Sequence, residues 1–357
     1  MKRRAFIALA AAAAAPWDSR ASVSYPDVVP DATLAFPRDE GAHPPFRNEW
    51  WYVTGWLRDA KHDDFGFQVT FFRNRPGVAE EGASAFAPRQ LLFAHGALAV
   101  PAIGHLLAEE HAAREGFGLA YADAGRTRVA LGRWSLAQQR DDTFAAVVRA
   151  REFAFELALV AGQPPLLQGE RGYSRKGPQP TDASYYYSRP QLAVRGTLAY
   201  RGDVRDVTGI AWLDHEWSSR YLTRGAVGWD WTGLDFDDGS ALMAFRIRNR
   251  AGDTLWAGGT YRDRAGRVRT YAPGDIEFVP QRHWRSPRTR IDYPVAFTLR
   301  AGDLSLALEP LMPDQELDAR RGIGVVYWEG AVRASAGGRV VARGYVELTG
   351  YGEPLRI

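Results

Sequence analysis

Two aromatic segments of this chain begin alike. Trp51-Tyr52-Val53-Thr54-Gly55 parallels Trp229-Asp230-Trp231-Thr232-Gly233. Each is followed by a charged turn and a second apolar run, and those runs end in Arg73-Asn74-Arg75 and Arg248-Asn249-Arg250. A shared strand–turn–strand at the head of each half points to two related units. The intervening sequence reads as β. Short apolar runs such as DFGFQVTFF, QLLFAHGALAV and REFAFELALVA are separated by turn residues, and Asp238-Gly239 is a strong hairpin signal. No strand–helix alternation is present, which argues against a parallel α/β sheet. One segment, His105 to Arg114 (HLLAEEHAAR), reads as a helix.

The 12 Trp, 15 Tyr and 17 Phe residues suit half-buried pleated surfaces. The net charge of +3 comes from Lys2, Arg3 and Arg4; without them 42 basic residues balance 42 acidic ones. That balance gives no basis for nucleic-acid binding. Cysteine is absent, so neither disulfides nor thiol chemistry are available. Residues 1–15 read as an export signal, and Arg3-Arg4 before an apolar run resembles a twin-arginine signal. A periplasmic or secreted location is therefore expected. Residues 16–45 are expected to be a loose lead-in, with one domain over 46–222 and a second over 223–357. The polar stretch 161–184 is long enough to be functional or a linker.

Charged groups are expensive to bury without partners. In WLDHEWSS, Trp212 to Ser219, Asp214, His215 and Glu216 lie between Trp212 and Trp217. Such a run is a solvated edge, a structural polar network or a site. As a strand it places Leu213, His215 and Trp217 on one face and Trp212, Asp214 and Glu216 on the other. Either face could serve proton transfer. Asp230, between Trp229 and Trp231, is a candidate general acid or an outward-facing carboxylate. Glu49, ahead of Trp50-Trp51, poses the same question. No metal is expected, because the seven histidines lack the HExxH spacing or another paired motif. No G-x-S-x-G elbow, G-x-G-x-x-G or P-loop occurs, so neither a serine hydrolase nor a nucleotide cofactor is indicated.

Four stretches carry a family resemblance: EWWYVTGWL (Glu49–Leu57), WLDHEWSS, the GWDW strand, and YWEGAV…GYVELTGY (Tyr327–Tyr351). Together they resemble the AttH and carotenoid 1,2-hydratase family of lipocalin-like proteins, also labelled predicted secreted hydrolases. The resemblance implies an all-β chain of two tandem lipocalin-like antiparallel β-barrels. It implies an apolar isoprenoid or lipid ligand and cofactor-free hydration of a double bond, with His215, Trp217 and an acid (Asp214 or Asp230) at the reacting centre; Glu216, in the same run, is a further catalytic candidate. Trp212, Trp217, Trp229, Trp231, Trp51, Tyr52 and Glu49 would then line the ligand site. The alternatives are a periplasmic lipid-binding protein and, third, a secreted hydrolase. Contact with a membrane surface or a lipid-export permease is a further expectation.

Overall fold

A computed structural model of the chain describes residues 23–355, apart from 79, 81–83, 85, 141 and 321–323. The export segment at residues 1–15 lies outside the described residues. Among those described there are two large antiparallel sheets and two short 3-10 turns. No helix of the described residues is long and apolar enough to cross a membrane.

The first sheet runs from Asn48 to Ser218 and the second from Gly228 to Leu348. Each is an up-and-down meander curled so that its first strand is hydrogen-bonded to its last. In the first sheet Asn48–Asp59 lies between Asp64–Asn74 and the returning Asp203–Ser218. In the second, Gly228–Phe236 lies between Ala241–Arg248 and the returning Arg339–Leu348. The ladder is interrupted at the same place in both, between the fourth and fifth strands. These are Leu106–Arg114 and Ala120–Ala122 in one sheet, and Val268–Tyr271 and Ile276–Arg285 in the other. The repeat seen in one hairpin therefore extends to the whole topology, giving two tandem lipocalin-like barrels.

Each barrel has its own core. Trp51, Val53, Leu57, Phe67, Leu136, Phe155 and Leu213 fill the first. Leu234, Phe297, Leu299, Trp328, Val332 and Val346 fill the second. A third apolar cluster joins them, where Tyr52, Trp56, Tyr186 and Trp212 meet Trp231, Met243, Phe245 and Tyr345. The period-2 side-chain alternation makes this possible, since one face of a strand packs inward while the other packs against the neighbouring barrel. Gly233 is required at this seam: a Cβ there would lie 2.7 Å from the Trp231 ring and 2.9 Å from Trp212. Trp56 crosses it, donating its indole N–H to the Gly344 carbonyl at 3.0 Å.

Three expectations change. HLLAEEHAAR is a strand from Leu106 to Arg114, not a helix. Its register against Leu91–Ala99 supplies a partner to a buried strand, and that pairing overrides local helix preference. The lead-in is not loose from Arg38 onward. Asp39 and Glu40 are buried, and the Glu40 carbonyl accepts from Trp51 Nε1 and Thr127 Oγ1. The 161–184 stretch is partly strand: Leu166–Leu167 and Tyr173–Arg175 both pair with Ala183–Tyr200.

Candidate functional site

The WLDHEWSS strand places polar side chains on both faces, and the two faces enter different environments. Inside the first barrel, His215 Nε2 lies 2.9 Å from Glu49 Oε1, and His43 Nδ1 approaches the same oxygen at 2.8 Å. Arg73 Nε donates to Glu49 Oε2 at 2.7 Å. His215 Nδ1 meets the Tyr187 hydroxyl at 3.2 Å, and His43 Nε2 faces Asp39 Oδ1 at 3.3 Å. Aromatic planes clamp both imidazoles: His43 stacks on Trp217 at 3.7 Å and His215 on Trp51 at 4.7 Å. Burial opposes charge on Glu49, but Arg73, His215 and His43 outweigh it and hold the pKa well below its usual value. Burial lowers the His215 pKa, whereas Asp39 and Glu49 overcome burial at His43 and raise it.

His43, Glu49 and His215 each offer one ligand atom, all within 4.8 Å of one another, so the fold assembles a metal-capable group that sequence spacing concealed. Two hydrogen bonds already run among these atoms, and Arg73 supplies the positive charge. A dication would displace both shared protons beside a guanidinium, so the residues fit a proton-filled network better than a metal.

The other face opens on a cavity of about 490 Å³ between the barrels. Strand register sets its walls. Across the first sheet, Thr70, Tyr52, Asp214 and Ser188 form one row, and Phe72, Trp50, Glu216 and Tyr186 the next. Across the second sheet, Phe245, Trp231, Glu347 and Glu329 form a facing row, with Ile247 and Trp229 beside it. The walls are thus aromatic, with a few buried acids set into them. Asp214 accepts from Trp212 Nε1 (2.6 Å), Ser188 Oγ (2.5 Å) and the Tyr186 hydroxyl (2.7 Å). Tyr186 in turn accepts from Trp231 Nε1 at 3.0 Å. Glu347 Oε2 accepts one bond, from Trp229 Nε1 at 2.9 Å. Glu216 accepts from Ser184 and pairs with the Lys176 ammonium at 2.9 Å. Lys176 also sits 4.2 Å from the Phe245 ring centre and 4.8 Å from that of Tyr186.

Desolvation governs the acids. It pushes Asp214 up to about 7 against its three hydrogen bonds, and Glu347 up to about 7. Burial, with repulsion from Glu347, drives Glu329 well above the carboxylate range. Several carboxyls on the cavity wall therefore carry protons near neutrality. The sign of the resulting pH dependence follows. Above the unfolded carboxyl pKa of about 4 the unfolded chain releases protons that the fold retains, so stability falls as pH rises from about 4 to about 7. The expected slope is at most about 1.4 kcal/mol per pH unit for each of Asp214 and Glu347. Urea denaturation across this window should show a flatter slope in Glu347→Gln; an unchanged slope would mean Glu347 is ionised in the fold.

The fold separates the sequence candidates. Asp214, Glu216, Tyr52, Trp229 and Trp231 line the cavity, and Glu49 borders it while its carboxylate lies in the network inside the first barrel. His215, Trp217 and Trp51 belong to the network inside the first barrel, and Trp212 supports Asp214 from the seam. The expectation that Asp214–Trp217 and Trp229–Trp231 all face one pocket needs correction, because a strand cannot present consecutive side chains to one side. Asp230 is placed elsewhere. It is fully buried between Arg246 Nε (2.6 Å), Arg248 Nε (2.8 Å) and the Tyr351 hydroxyl (2.9 Å). This mirrors Glu49 with Arg73: in each barrel an acid of the first strand binds the first arginine of the Arg-Asn-Arg ending. Of the triple Tyr185-Tyr186-Tyr187, whose sequence fits either pocket lining or packing, Tyr186 lines the cavity, and Lys176, Tyr221, Glu329 and Glu347 line it without having been singled out.

Two lipocalin-like barrels enclosing an acid-studded aromatic cavity define the class of protein. The chain belongs to the AttH-like family, whose profile matches residues 27–351. It is similar to a crystal structure from Nitrosomonas europaea provisionally described as AttH, with 49% identity, 91% of this chain and 99% of that chain covered, and a TM-score of 0.85. The fold is shared with kievitone hydratase from Nectria haematococca: 13% identity, coverage of 93% and 97%, TM-score 0.70. It is also shared with CghA: 13% identity, coverage of 91% and 95%, TM-score 0.54. No curated protein sequence matches the chain.

Proposed function

We propose that this protein is a cofactor-independent hydratase that protonates a double bond of an apolar, isoprenoid-like ligand in the cavity between its barrels. The carrying observation is a pair of buried carboxyls on an aromatic wall, Asp214 and Glu347, both pushed up to about 7, so that near neutral pH one can hold a proton while the other is ionised. A general acid works best when its pKa lies near the working pH. Hydrogen bonding divides the roles. Glu347 receives a single bond, from Trp229, so its acid form loses little and it is the proton donor. Asp214 receives three donated bonds, which favour its anion, so it takes the proton released when water adds. Glu347 gives its proton to one alkene carbon, the cation forms on the other, water bonds there, and its extra proton passes to Asp214. Trp229, Trp231 and Tyr221 present π faces to that cation. The cavity has the volume of a drug-sized ligand site, enough for one end of a longer chain.

The kievitone hydratase fold supports this reading at the level of architecture. The alternative, an exported carrier of an apolar ligand, uses the same cavity without chemistry. Export itself is proposed from residues 1–15, and contact with a membrane surface or lipid permease from the apolar ligand. Hydrolysis ranks last, since Ser184 and Ser188 donate to Glu216 and Asp214 and not to an imidazole. The test is to incubate the mature protein with lycopene or neurosporene and analyse the extract by mass. A product heavier by one water supports hydration. Lipid retained unchanged under all conditions supports the carrier.

A further inference from the structure

One corner of the cavity wall holds polar groups that the protein itself leaves unpaired. The Tyr52 hydroxyl and both carboxyl oxygens of Glu329 are buried without a hydrogen-bond partner among the described residues. Both side chains line the cavity. Their polar atoms are close but not aligned to bond; burial, aided by Glu329, raises the Tyr52 pKa, and burial with Glu347 raises that of Glu329 against the opposing pull of Tyr52 and Tyr327, so both keep their neutral, hydrogen-bearing forms. Tyr327, whose hydroxyl meets His95 Nδ1 at 2.6 Å, lines the cavity beside Glu329. A native fold rarely leaves such groups unsatisfied, because each costs the full desolvation of a polar atom. Two neutral, unpaired O–H groups on side chains that line one cavity suit an uncharged oxygen acceptor.

We infer that Tyr52 and Glu329 form a subsite for a single neutral oxygen of the ligand, a carbonyl or hydroxyl carried on an otherwise apolar body. The inference rests on the same cavity as the function proposed above and adds a substrate class: oxygenated apolar molecules over plain hydrocarbons. An anionic head group does not fit this corner, because the one cavity-lining lysine, Lys176, is already paired with Glu216 and so is not free to balance it.

Binding of 2-dodecanone and 1-dodecene is compared by quenching of the cavity tryptophans. The ketone should bind about tenfold more tightly, the sum of two ordinary hydrogen bonds. The preference should shrink about threefold in Tyr52→Phe and vanish in Tyr52→Phe/Glu329→Met. The double variant removes unpaired groups, so its unfolding temperature should rise; a structural role for these side chains would lower it. Equal affinities, no detectable binding of either compound, or a preference that survives the double variant would overturn the subsite. Hydration is scored separately. A ketone preference without turnover leaves the subsite and removes the hydratase, and turnover without a preference does the reverse.

Discussion

Glu347→Gln should keep its fold and lose hydration by about 10²–10⁴-fold, the range for removing a positioned general acid. Glutamine preserves the shape and can still accept from Trp229, so the indole keeps its partner. It cannot release a proton to an alkene. Because burial pushes the native carboxyl up to about 7, it is only about half ionised at pH 7, so the substitution removes part of a buried charge and stability should be unchanged or improved at that pH. Asp214→Asn should also lose activity, but with a stability cost. Its new amide nitrogen would face one of the three donors that now converge on the carboxylate from Trp212, Ser188 and Tyr186. Product formation with initial rates at saturating ligand separates the two variants. Undiminished turnover in Glu347→Gln would remove it as the donor.

The second large effect is on stability. Asp230→Ala should destabilise the second barrel by about 3–5 kcal/mol, because Arg246 and Arg248 would be left side by side around an empty site. Tyr351 would lose its acceptor as well. Arg73→Ala should do the same in the first barrel by leaving Glu49, fully buried, without its guanidinium. Urea denaturation measures both. The remaining folded Asp230→Ala protein should retain its turnover per molecule, since Asp230 does not reach the cavity. A stable variant with abolished turnover would return Asp230 to the reacting centre.

Much of the architecture was legible because its causes are local. Alternating apolar runs and turn dipeptides specify strands, and the repeated Trp-x-x-Thr-Gly hairpin marked two units. The alternation in WLDHEWSS correctly sorted His215 and Trp217 from Asp214 and Glu216 onto opposite faces. What it could not supply was the environment of each face, since that depends on strands more than a hundred residues away. Glu329 and Glu347 lie within the closing stretch that carried the resemblance, but a glutamate in a strand gives no sign of whether it faces solvent or a neighbouring barrel. Lys176 did leave a trace: it is one of three lysines in a chain whose other basic residues are arginines. Asp230 misled because an acid between two tryptophans reads as buried among aromatics, whereas the strand turns it toward Arg246 and Arg248. The His43–Glu49–His215 group was hidden because His215 is separated from the other two by a whole barrel of chain.

The central claim is that acids facing the cavity are protonated near neutral pH, and infrared spectroscopy of the carboxyl C=O stretch tests it most directly. The wild-type protein should show a protonated-carboxyl band near pH 6 that partly disappears as Asp214 and Glu347 titrate around 7, with Asp235, a buried acid that accepts from the Gln191 backbone N–H and does not line the cavity, following at about 8 and the Glu329 component persisting into alkaline solution. Glu347→Gln should lack one of the components titrating around 7. A wild-type spectrum without any protonated-carboxyl band near pH 6 would contradict the account.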